Sequence, residues 1–183
     1  MTISIVTGGA GFIGSHIVEK LLQWDHMVVV IDNEYSDNDN FHWRKDTINV
    51  NLDITDYKAL KNSFTGADYV FHCAAEARIG PAIENPVNAL NINTIGTCNV
   101  LQCAREVGAK KVLYSSTSSG YGLNEAPNIE TQPDDCLNPY SVSKIAGEKL
   151  CKMYTDLYGL NTIIFRYFNV FGERAPRKGQ YAP

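Results

Sequence analysis

Apolar residues along this 183-residue chain fall into two alternating kinds of run, short β-branched ones and longer ones with helical spacing. Residues 3–6 read as a first strand. Residues 12–22 read as a helix, with Phe12, Ile13, Ile17, Val18, Leu21 and Leu22 recurring at helical spacing. The unbroken run at 27–31 predicts a strand covered on both faces. Further strands are predicted over 47–50, 69–72, 111–115 and 161–165, and helices over 56–64, 87–107 and 138–158. The last helix opens on Asn138-Pro139, a cap followed by proline in the first turn, and Gly159 stops it. Residues 33–42 read as a polar loop, Pro81 and Pro86 bracket another, and 120–137 as a long irregular segment. Six strands alternating with helices predict an α/β fold with a doubly wound parallel sheet and right-handed crossovers. Such sheets bind ligands beyond the carboxyl ends of their strands.

Composition narrows the class. With 44% hydrophobic and 20% charged residues the chain fits one globular domain, and its net charge of −4 supplies no basic field for nucleic acid or an anionic membrane. Five scattered cysteines without a CxxC pair argue for reduced thiols in a cytoplasmic protein. The first residues lack the pattern of a signal peptide, and no apolar run reaches membrane-spanning length. His16, His26, His42 and His72 show no metal-ligand spacing, so no metal is expected.

The run TGGAGFIG at 7–14 lies between a predicted strand and a predicted helix. Gly8, Gly11 and Gly14 lack the β-carbons that would keep a pyrophosphate from the backbone, and the helix start offers unpaired N–H groups. Asp32 ends the second strand, 18 residues beyond Gly14. A carboxylate there accepts hydrogen bonds from both ribose hydroxyls and repels a 2′-phosphate, so NAD is favoured over NADP. Asp53, after the third strand, is either a partner for the adenine amino group or a helix cap or loop aspartate.

Tyr140 and Lys144 stand four residues apart, on one face of the helix from Asn138. A free tyrosine titrates near pH 10, and a neighbouring ammonium favours its phenolate. At about 4 Å and an effective dielectric of 20 that attraction is at most about 4 kcal/mol, roughly three pK units, enough to make a general base near working pH. Thr117 follows the fifth strand and can orient a reacting oxygen. Ser115 and Ser116 are either ligand contacts or turn residues.

These motifs, with Asp32-Asn33, Asp53-Ile54, HCAA at 72–75, SSTSSGYG at 115–122 and RYFNVFG at 166–172, resemble the extended short-chain dehydrogenase/reductase family over the whole chain. Within that NAD-dependent epimerase/dehydratase group they are most like the UDP-glucose and UDP-N-acetylglucosamine 4-epimerases. The resemblance implies a Rossmann-type domain over 1–172 in which Gly8, Gly11, Phe12, Ile13, Gly14, Asp32, Asn33, Asp53, Ile54, Ala74, Ala75, Ser115, Tyr140 and Lys144 hold NAD. It implies Thr117, Tyr140 and Lys144 as the catalytic trio, with Thr117, Ser118 and Asn169 touching a UDP-sugar, and a homodimer. It also implies removal and return of a hydride through a 4-keto sugar. Where 4,6-dehydratases carry Asp-Glu after this threonine, Ser118 and Ser119 stand here, and Ser119 replaces the glutamate of sugar-acid decarboxylases.

Members of the family are longer. Residues 173–183 are therefore expected to be only a stub of the substrate region, most of whose domain is lacking, and the alternative to turnover is an NAD-binding module. Arg174, Arg177 and Lys178 either approach a diphosphate or form a solvated basic tail. Glu76 and Arg78 either border the sugar or pair at the surface. Leu150, Met153, Tyr154 and Leu157 either build a dimer face or pack on the sheet.

Overall fold

The computed structural model describes residues 1–36 and 40–175. Six strands, β1 (Ile3–Thr7), β2 (Met27–Asp32), β3 (Ile48–Asn51), β4 (Tyr69–His72), β5 (Lys111–Thr117) and β6 (Thr162–Tyr167), form one sheet in the order β3-β2-β1-β4-β5-β6. Every pairing is parallel, so the predicted doubly wound α/β sheet is the fold. The register sets Thr7 beside Ile31 and His72, and Thr117 beside Tyr167. The strand order reverses between β1 and β4, where a crevice opens.

Alternation within the strands builds a core on each face. Ile5, Ile31, Val70, Val112 and Tyr114 pack beneath α2 (Tyr57–Ser63), α5 (Thr97–Glu106) and α6 (Pro139–Tyr158). Val6, Val28 and Val30 pack against Val18 and Leu21 of α1 (Phe12–Gln23). Leu150 and Met153 join the first core and Tyr154 is buried in it, whereas Leu157 is exposed. The first three therefore pack on the sheet.

Three expectations change. The stretch read as a loop around Pro81 contains α3 (Ile79–Glu84), with Pro81 in the first turn, where its missing N–H has no helical partner to lose. The helix predicted over 87–107 is divided: α4 (Pro86–Leu90), a π-helical turn (Asn91–Gly96), then α5. In that wide turn Asn93 faces inward and donates to the Glu76 carbonyl and to Ser143 Oγ, both at 2.9 Å. Strand β5 also runs to Thr117, two residues past the end predicted for it at 115, because Ser116 and Thr117 pair with Arg166 and Tyr167 of β6.

Candidate active site

The turn from β1 into α1 has no room for a side chain at Gly8 or Gly14. Gly8 has φ of +68°, and a Cβ there would lie 2.6 Å from the Ala74 nitrogen. A Cβ on Gly14 would strike the Gly8 carbonyl oxygen and come within 2.7 Å of the Gly9 Cα. Gly11 caps α1 without a side-chain bond. The result is a bare backbone cradle at a helix N-terminus, where N–H groups and the helix dipole favour an anion.

Asp32 ends β2 beside this cradle. Its Oδ2 accepts from the Ala10 N–H at 3.1 Å and its Oδ1 from the Glu34 N–H at 2.9 Å. Burial raises its pKa above the ordinary carboxylate value, and these backbone bonds oppose the rise. Asn33 Nδ2 donates to Asp53 Oδ2 at 2.9 Å, tying the ends of β2 and β3. Asp53 Oδ1 accepts from the Thr55 N–H and hydroxyl at 2.8 and 2.7 Å, while Asp56 caps α2 by accepting from the Ala59 N–H. Asp53 therefore does not cap α2 and sits in the loop after β3.

A cleft of about 780 Å³ runs along these strand ends, a volume typical of small-molecule and cofactor sites. It collects the candidates strand by strand: Gly8, Gly11, Phe12, Ile13 and Gly14 from β1; Asp32 and Asn33 from β2; Asp53 and Ile54 from β3; Ala74 and Ala75 from β4; Ser115 from β5. Tyr35 and His42, from the segment read only as a polar loop, also line it. So does Glu76, which is 3% exposed, accepts from the Arg78 N–H at 3.0 Å and pairs with Arg78 Nε at 3.6 Å. The two therefore form an ion pair in the loop after β4, with the carboxylate buried and the Arg78 side chain 44% exposed.

The remaining candidates stand outside that lining. Asn138 caps α6 by accepting from the Ser141 N–H at 2.9 Å, which sets Tyr140 in the first turn and Lys144 one turn on. Gly147 brings α6 onto β5, since a Cβ there would meet the Tyr114 hydroxyl. The Tyr114 hydroxyl donates to the Lys144 carbonyl at 3.1 Å, and the Lys144 ammonium lies 4.4 Å from the centre of the Tyr114 ring. Burial lowers the Lys144 pKa to about 8, and its charge acts on His72 and on Cys73, a cleft residue. Thr117 is buried; its hydroxyl donates to Ser119 Oγ and accepts from the Ser119 N–H, both at 3.1 Å. Ser118 opens a short 3-10 turn, and Asn169 is exposed. Arg177 and Lys178 lie outside the described residues.

Two polar networks were not legible in the chain. His72, buried at the end of β4, has Nδ1 2.7 Å from Thr7 Oγ1 and Nε2 2.9 Å from Thr97 Oγ1. The Thr97 hydroxyl donates to the Asn93 carbonyl, so it accepts from Nε2–H, and Nδ1 then accepts from Thr7. Burial lowers the His72 pKa to about 3, leaving the ring neutral. The second network centres on Arg166 of β6, whose Nε and Nη2 grip Glu148 at 2.6 to 3.1 Å while Nη2 reaches Asp134 at 2.8 Å. Ser116 Oγ donates to Glu148 Oε1 at 2.5 Å. Ser116 is thereby a strut joining β5 to α6, whereas Ser115 lines the cleft with its hydroxyl 3.3 Å from Cys73 Sγ. The only hint in the sequence was polar residues at positions the patterns bury.

Residues 4–182 match the family model described as NAD dependent epimerase/dehydratase family. A putative UDP-glucose 4-epimerase of Methanocaldococcus jannaschii is 38% identical over 179 residues, covering 96% of this chain and 58% of that protein. A UDP-N-acetyl-alpha-D-glucosaminuronate decarboxylase of Bacillus cytotoxicus is 37% identical, covering 97% and 57%. The crystal structure of Thermotoga maritima UDP-glucose 4-epimerase with UDP-glucose superposes with a TM-score of 0.93 at 32% identity, covering 98% of this chain and 60% of that one. The chain thus spans about three fifths of the length of these proteins.

Proposed function

The chain belongs to the NAD dependent epimerase/dehydratase family, and we propose that it is the NAD-binding part of a nucleotide-sugar 4-epimerase of the UDP-glucose/UDP-galactose type. The observation that carries this is the cradle beside a buried Asp32, joined on one sheet edge to a helix bearing Tyr140 and Lys144. In this reading residues 1–172 are the cofactor domain and 173–183 begin the substrate region.

The residues present fit NAD. Gly8, Gly11 and Gly14 leave space for a diphosphate, Asp32 takes the adenosine ribose, Asn33, Asp53 and Ile54 border the adenine, and Ala74, Ala75 and Ser115 flank the nicotinamide end. Bound NAD supplies the oxidising and then reducing equivalent at the sugar C4. The Tyr140 phenolate accepts the proton of the sugar hydroxyl and later returns it. Thr117 hydrogen-bonds the same oxygen, and Lys144, protonated at neutral pH with a pKa near 8, favours the phenolate. Asn169 and Ser118 would meet the substrate. With serines at 118 and 119 no acidic side chain follows Thr117, which suits epimerisation over dehydration or decarboxylation.

Exposed Val87, Leu90 and Ile95 support a homodimer packed through α4 and the π-helical turn. A cytoplasmic site suits the free cysteines. A second reading, an NAD-binding module without turnover, draws on the exposure of Asn169. Incubating the chain with NAD and UDP-galactose decides between them: UDP-glucose should form without net NADH. Tight NAD binding with no sugar conversion would leave the module.

A further inference from the structure

Residues 172–175 turn back across the start of α1. The Ala175 N–H donates to the Gly172 carbonyl at 3.2 Å, and His16 Nε2 is 2.8 Å from the Glu173 carbonyl. Between them Arg174 has φ of +68°, a conformation L side chains rarely adopt, so the contacts around it must hold it there. Its Nη2 donates to Glu19 at 2.6 Å and its Nη1 to Ser15 at 3.0 Å, both on α1. The side chain is only 22% exposed, so Arg174 is no part of a solvated tail.

Arg174 also lines the cleft, on the rim that carries Gly11, Phe12 and Gly14. Among the described residues of that lining the arginines are Arg78 and Arg174, and Arg78 sits on the β4 loop paired with Glu76. His42, whose backbone N–H donates to the Ala10 carbonyl at 2.8 Å, has its pKa lowered by burial and by the charge of Arg174 itself, so the ring stays neutral. The cradle thus offers only backbone dipoles and one fixed guanidinium. A guanidinium carries five N–H groups, and the bonds to Glu19 and Ser15 engage one on each terminal nitrogen. Ser15 and Glu19 hold the guanidinium against α1, and three of its five N–H groups take no part in these two bonds.

We infer that Arg174 binds the diphosphate of the dinucleotide, supplying the positive charge that the glycine cradle lacks. Guanidinium and phosphate match in geometry, and a charge-assisted bond of this kind is about twice as strong as a neutral one. This rests on the NAD reading above. It also makes the segment after β6 part of the cofactor site.

Isothermal titration of the full chain with NAD, ADP and adenosine tests it. Arg174→Gln should weaken NAD and ADP by about tenfold or more while leaving adenosine, which has no phosphate, unchanged. Arg174→Lys should restore part of the loss. Glu19→Gln, which removes the anchor and keeps the charge, should retain NAD within about threefold. Equal losses for NAD, ADP and adenosine in Arg174→Gln would show a structural clamp and overturn the assignment, as would unchanged NAD affinity. Failure of the unsubstituted chain to bind NAD would sink the dinucleotide reading first, a result separable from either.

Discussion

The ammonium of Lys144 lies 4.4 Å from the ring centre of Tyr114, in a pocket made because Gly147 lets α6 settle on β5. A charge buried there costs stability. The folded-state pKa of about 8 lies below the unfolded value near 10.4, so the native chain loses this proton first. The cost is therefore full below pH 8 and relieved as pH rises from about 8 towards 10.4. Lys144→Met should abolish catalysis yet stabilise the fold at pH 7, by roughly 3 kcal/mol at most, with the gain shrinking as pH rises. Denaturant melts at pH 7 and 9.5 read this; a destabilised Lys144→Met protein at pH 7 would contradict the burial cost.

In the proposed function Asp32 makes the cofactor choice. NAD should bind more tightly than NADP, and Asp32→Ala should weaken NAD by on the order of 1.5 to 3 kcal/mol through loss of a charged acceptor. Because burial raises its pKa, NAD affinity should begin to fall, as pH drops, at a higher pH than an ordinary carboxylate would give. Titration calorimetry with both cofactors from pH 4 to 8 checks the order and the slope. Equal or tighter NADP binding would remove Asp32 from this role.

The glycine loop, Asp32 and the Tyr140–Lys144 spacing were legible because each is local: a strand, a turn and a helix face within a few residues. What escaped depends on partners far along the chain. Gly147 looks like an ordinary helix glycine until Tyr114, from another element, is set beneath it. Asn93 turns inward on a π-helical turn to meet Glu76 and Ser143, 17 and 50 residues away. Arg174 stays open between a diphosphate contact and a basic tail until the fold brings it to Glu19, 155 residues distant. Pro81 suggested a loop because proline breaks helix interiors, yet it is tolerated in the first turn.

His72 should be neutral and carry its proton on Nε2, held between Thr7 and Thr97. Its folded pKa of about 3 lies below the ordinary 6.5, so stability should fall as pH drops below about 6.5 and go on falling towards 3. Nitrogen NMR of the labelled ring reads both tautomer and titration. A ring that protonates near pH 6.5 in the folded chain would show that the threonine relay does not hold.

Apolar Val87 and Ile95, 77% and 53% exposed, stand on the face proposed for the dimer. The chain should therefore associate, and Ile95→Glu should shift it towards monomer without changing NAD affinity. Light scattering at several concentrations measures this, and a strictly monomeric unsubstituted chain would exclude the interface.

In the proposed mechanism Tyr140 is the base and Lys144 its electrostatic partner. Ultraviolet difference titration of the NAD complex, with Tyr140→Phe as the reference, isolates the one phenol that matters. Tyr140 should ionise well below pH 10 when NAD is bound, Tyr140→Phe should keep NAD affinity while losing turnover, and Lys144→Met should return the phenol towards pH 10. An ordinary titration near pH 10 in the NAD complex with Lys144 intact would contradict this mechanism and leave a dinucleotide-binding module.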